Sequence, residues 1–303
     1  MSRNPAPVAR FWLTCFVAFV PALILGCQGQ GKGPLGSLVA NIGDPFRAAN
    51  PSDVARDLFD VTDADNRRRA LAMFAAAPFG DADTYIKWYR LMLGGETQGK
   101  PVLVGAPDPD ATVRAAAVRA LGIHGVVDDV VIIIPRLEDE VAFVRWEAAK
   151  ALGRIYNPEA IRPLLRSLRE DQSLRGEDET AASGRGEPDP EVRQACAEAL
   201  GQYANPAVFD GLIAALRDTN YGVNYAARRS LKTLTGFDMG YDYRDWLTWA
   251  ERHKDDLFAD QQVYTWTPYQ APPGFWDKMR FWREPLQAEK RVPTGAVGTA
   301  EAG

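Results

Sequence analysis

Two histidines and three cysteines are all that 303 residues offer as soft metal ligands or thiol nucleophiles. Cys15 and Cys27 stand close to the start, so the body carries one thiol, Cys196, and an internal disulfide is impossible there. His124 and His253 each lack a second His or Cys at metal-ligand spacing, which argues against zinc or haem. No Walker-type glycine loop, no GxSxG and no HExxH occurs, so no cofactor or metal is expected and no catalytic residue can be nominated. Positive charge is also short, with 35 Lys and Arg against 40 Asp and Glu. Such a body has no electrostatic attraction for a phosphate backbone, and nucleic acid is not an expected partner. The long apolar run, FWLTCFVAFVPALIL, is too short and too interrupted by proline for a membrane-spanning helix.

What the chain does have is a ten-residue phrase that returns four times. It begins at Val113 (VRAAAVRALG), Val144 (VRWEAAKALG), Val192 (VRQACAEALG) and Val223 (VNYAARRSLK). With the valine numbered zero, positions 0, 3, 4, 7 and 8 are small or apolar in every copy, Glu147 excepted. That spacing is the buried stripe of a helix, and its alanines let a neighbouring helix come close. The first and last steps are 31 residues and the middle one is 48, an excess of 17. Leu137, Leu168 and Leu216 show the same 31 and 48, which places the insertion after Leu168. A loop over about 172–187, rich in Gly, Ser and acids, is expected there.

The connecting residues are equally regular. An acid stands five before each valine: Asp108, Asp139, Glu187 and Asp218. Asp110, Asp189 and Asn220, three before it, are N-cap residues, and Val141 breaks the pattern. These acids suit caps better than calcium ligands, because they recur with the repeat. Position 9 is Gly122, Gly153 or Gly201, where a left-handed helix end is expected. A second helix opens at Asn157-Pro158 and Asn205-Pro206 and buries Ile161/Leu164/Leu165/Leu168 and Phe209/Leu212/Ile213/Leu216. The Arg114, Arg145, Arg193 ladder at position 1 is expected to pair with turn acids of neighbouring repeats.

The stretch EPDPEVRQACAEALG resembles the phrase DPDPEVRxxAAxALG of bacterial HEAT-like repeats, also called PBS-lyase HEAT-like repeats. The four copies span roughly 106–253, and a degenerate fifth lies at Asn66-Arg67 with Ala70, Met73 and Phe74. The resemblance implies an all-α, HEAT-like helical-repeat solenoid of about five helical hairpins over 51–253. It also implies that second helices line the concave face, and it leaves three functions open: scaffolding, lyase accessory work and partner docking.

Residues 1–26 read as a leader: Arg3 and Arg10, an apolar run, then Ile24-Leu25-Gly26-Cys27. This resembles a lipobox, with Leu25 bulkier than usual, and implies that Cys27 is lipidated. Residues 27–50 then form a flexible tether, and removing the leader takes the net charge from −5 to −7. Gln28 lacks the acidic signal for inner-membrane retention, which favours an outer membrane if the organism has one.

Cys196 sits at stripe position 4, where other copies carry alanine, and reads as a buried small group. Arg162, Arg166 and Arg169 fall at 4 and 3 on one second helix, off the leucine stripe. They are candidates to grip an acidic protein partner, against the simpler reading of a solvated face paired with Glu159 or Glu170. Trp246 and Trp249 lie one turn apart on a helix capped by Asp242, and are candidates for partner contact. Residues 254–284 are expected to form an aromatic C-terminal cap, with a membrane-surface helix and cell-wall glycan stacking as rivals; 285–303 are expected to be a disordered tail. The expected function is a non-catalytic, lipid-anchored envelope scaffold with a protein partner. The alternatives are a phycobilin-lyase-like enzyme or accessory subunit, and glycan binding through exposed tryptophans.

Overall fold

The computed structural model describes residues 51–77, 79–95, 101, 105–169, 186–268 and 289–296. The leader, Cys27, the tether and most of the inserted loop lie outside them. Among the described residues the chain is all-α, with eleven α-helices and two isolated β-bridges. After α1 (Pro51–Leu58), five hairpins follow. Their first helices are α2 (Ala64–Ala76), α4 (Ala111–His124), α6 (Ala142–Leu152), α8 (Pro190–Leu200) and α10 (Tyr221–Thr235). Their second helices are α3 (Asp83–Met92), the short α5 (Val130–Ile133), α7 (Ile161–Leu168), α9 (Pro206–Ala215) and α11 (Tyr243–Arg252). Pro135 lacks an amide donor, and the chain after α5 tightens into a 3₁₀ turn, Ile134–Glu138.

The expected caps form. Asp110, Asp189 and Asn220 each accept a first-turn amide at 2.8 Å. Asn157 and Asn205 do the same for the Asn-Pro starts, at 2.9 Å. Val141 makes no side-chain cap. The repeat valines and alanines are buried in one continuous core with Leu164, Leu168, Leu212 and Trp246. In the degenerate first hairpin Ala70, Leu71 and Phe74 are buried, and Met73 is exposed.

The repeat glycines do a different job from the one expected. Gly153 and Gly201 have φ of −74° and −61°, right-handed, and Gly122 lies inside α4. A Cβ on Gly122 would meet the Ala151 Cα at 2.8 Å, and one on Gly201 would meet the Ser230 hydroxyl at 2.7 Å. Gly153 faces Ala199 in the same way. Position 9 of each repeat thus packs on position 7 of the next, and glycine is there for close helix approach. The left-handed helix end occurs instead at Gly236, φ 79°, after α10.

First helices therefore run side by side in near contact, whereas the second helices touch one another sparsely. The first helices form the tighter layer and the second helices the more open one.

Candidate partner-binding surface

The position-1 arginines are structural. Arg67, Arg114, Arg145 and Arg193 each hold the acid of the following repeat through two hydrogen bonds, on Asp108, Asp139, Glu187 and Asp218 respectively. All eight bonds are 2.7–3.1 Å, in a buried or nearly buried setting. A third guanidinium nitrogen donates to turn carbonyls of the arginine's own repeat, as Arg193 does to Glu187 O and Pro188 O. Burial alone would raise the Asp139 carboxyl, but the Arg114 fork and the Val141 amide outweigh it and hold it below its ordinary value. In the last copy Asn224 replaces arginine and keeps only the carbonyl contacts, to Ala215 O and Asp218 O.

Glu147, the charged exception in the stripe, is buried and pairs with Arg119 of the preceding first helix. Cys196 is a free, buried thiol, and burial pushes its ionisation far above the ordinary range. His124 bonds to Ala75 O at 2.7 Å, and His253 ends α11 against Trp249 O at 2.9 Å. No cluster of His, Cys or acids fit for a metal exists among the described residues.

Arg162, Arg166 and Arg169 are all exposed, along α7 and its C-cap. Arg166 meets Glu138 at 2.9 Å with both side chains largely in solvent. They lie in the more open second-helix layer. Trp246 and Trp249 are not surface residues. Trp246 is 0% exposed and donates its indole N–H to Gly240 O at 2.9 Å, while Trp249 stacks on His253 at 4.5 Å. Both cover Phe209 of α9, because the last hairpin must bury the open end of the core.

The chain beyond α11 does not stop at that end. Phe258 joins Phe209, and the Gln262 amide donates to Thr233 O at 2.8 Å. Tyr264 then lies against Gly153, and Trp266 packs under Arg154 at 4.9 Å. Residues 289–296, inside the stretch expected to be a disordered tail, are ordered by backbone pairing. Trp266 and Arg291 exchange two bonds of 2.8 Å, Thr294 N–H donates to Arg154 O, and Tyr156 N–H donates to Thr294 O. Residues 262–266 thus run from the end of α10 to the end of α6, and 289–296 pair with the chain there. Its glycine, Gly295 at φ 85°, fits against Val127 and Tyr156.

One surface feature escaped the stripe analysis. At positions −1 and 2 the second copy carries Phe143 and Trp146, where other copies have Thr112/Ala115, Glu191/Gln194 and Gly222/Tyr225. Neither position belongs to the buried stripe, so core patterning ignores them. The two rings stack at 5.8 Å on α6, with Lys150 over Trp146 at 4.0 Å and Arg119 beside Phe143 at 6.0 Å. Burial, then the nearby Arg154 charge, lowers the Lys150 ammonium below its ordinary value. Phe143, Trp146 and Ala142 wall a cavity of about 230 Å³ whose other side is Asp189 and Glu191 of α8. Further along the same layer Tyr221 and Tyr225 are 68% and 48% exposed, and Phe143 is 47% exposed.

Among solved structures, two engineered proteins are similar to this chain. One has 18% identity and a TM-score of 0.43 over 69% of this chain and 93% of its own. The other has 19% identity and a TM-score of 0.41 over 71% and 99%. No significant match is found among curated proteins. The family model described as HEAT repeats matches residues 100–183 and 180–248, the stretch that holds the arginine ladder and the Gly–Ala contacts. Residues 100–248 of this chain are HEAT repeats, in an all-α helical-repeat protein.

Proposed function

We propose that this protein is a non-catalytic scaffold, anchored to a membrane of the cell envelope by lipid on Cys27, that docks a partner protein on its repeats. One observation carries the docking half. The charged ladder is spent on holding repeats together, while the first-helix layer turns Phe143, Tyr221 and Tyr225 into solvent. Large aromatics left exposed on a rigid surface are typical anchors of protein interfaces. The acidic body, net −7 without residues 1–26, suits a partner that presents a basic segment.

The anchoring half rests on the leader and the Ile24-Leu25-Gly26-Cys27 motif. No helix among the described residues is long and apolar enough to cross a membrane. Gln28 favours the outer membrane in an organism that has one. Cys27→Ser should release the protein to the soluble envelope fraction or leave its leader uncleaved. Membrane fractionation with mass measurement of the N-terminus reads this, and an unchanged, processed, membrane-bound variant would overturn it.

A second reading places an acidic partner on the second-helix layer. It is favoured by the exposure of Arg162, Arg166 and Arg169, whose one pair with Glu138 is cheap to exchange.

A further inference from the structure

The cavity between α6 and α8 has three properties that together select a ligand. Its size, about 230 Å³, is below the roughly 300–1,000 Å³ typical of small-molecule sites, so it fits a single side chain. Its apolar wall is a stacked aromatic pair, Phe143 on Trp146. Its opposite wall is two carboxylates, Asp189 and Glu191. Asp189 is committed as the N-cap of α8, through the Glu191 and Val192 amides. Glu191 is exposed at the mouth.

An anion would face those carboxylates, and a purely apolar group would leave them to be desolvated without compensation. An arginine suits both walls: its aliphatic stem packs along the aromatic wall, and the acids neutralise its head. The ring faces are engaged by each other and by two resident cations, Lys150 over Trp146 and Arg119 beside Phe143, and neither cation lines the cavity. A planar guanidinium can give a carboxylate two parallel N–H bonds, which an ammonium cannot do. We propose that this cavity receives an arginine side chain from a basic segment of the partner protein. The proposal rests on the scaffold reading and names the chemistry of its partner.

The test uses the full chain purified in detergent, with its tryptophan indoles labelled with ¹⁵N. Trp146 is one of eight tryptophans, and its indole signal is assigned by Trp146→Phe. A tri-arginine peptide should shift the Trp146 signal saturably, and tri-glutamate and tri-glycine should not. Glu191→Gln should weaken the response about threefold, as an exposed charge does. Phe143→Ala removes half of the apolar wall and should weaken it about fivefold, with the thermal melt close to wild type because that ring is half exposed. A Trp146 signal that ignores tri-arginine, or answers tri-glutamate equally, overturns the proposal. Failure of the scaffold reading looks different: it is loss of Cys27-dependent membrane attachment, or turnover of a substrate by the purified chain.

Discussion

The two layers of the stack are built from the same repeat and behave differently. In the first-helix layer, glycine meets alanine across repeats, with Gly122 set against the Ala151 backbone. In the second-helix layer, Gly211 of α9 would place a Cβ 2.4 Å from the Leu165 Cδ2, the free end of a flexible side chain. One contact is rigid and the other can yield. Small residues and a buried charge ladder make the first-helix layer unforgiving, whereas leucines make the second-helix layer adjustable. Function is best placed on a surface whose spacing does not change, and exposed aromatics are found on that side.

The comparison breaks most visibly at the ladder. Arg193→Ala leaves Asp218 buried without its partner, and should cost about 3–5 kcal/mol in denaturant unfolding. A loss below about 1 kcal/mol would mean that the rungs do not hold the first-helix layer together.

The glycine pair sharpens it further. Gly122→Ala should destabilise by about 1–3 kcal/mol, because the new methyl meets backbone and α6 has to move. Gly211→Ala should be neutral or stabilising by up to about 1 kcal/mol, since Leu165 can turn aside and alanine favours helix. Equal melting temperatures for the two variants would remove the distinction between layers.

The smallest effect is expected in the second-helix layer. Arg166→Gln breaks one solvent-exposed pair with Glu138 and should move the melting temperature by no more than about 1 °C. A larger drop would show that the arginine column is a structural element.

Much of the stack is legible in the residues because its causes are local or strictly periodic. A cap such as Asp189 acts on amides two and three residues away, so its role can be read from the chain alone. The ladder is legible for another reason: repetition places each arginine and each turn acid at fixed offsets, so one pairing implies the next. Trp246 was misread as a docking residue because burial at an open end depends on what lies beyond it, here Phe209 and Gly240. The aromatic pair was missed because positions outside the buried stripe carry no periodic signal.

By itself the amino-acid sequence determined the helix starts, the buried stripes, the hairpin repeat and the family, since each depends on neighbours within one or two turns or on strict recurrence. Only the tertiary structure decided why glycine occupies position 9, which layer packs more tightly, and that residues 289–296 return to Arg154 and Tyr156. Those facts depend on distances between groups far apart in the chain, where a glycine that ends a helix and one that admits a neighbouring helix are spelled alike.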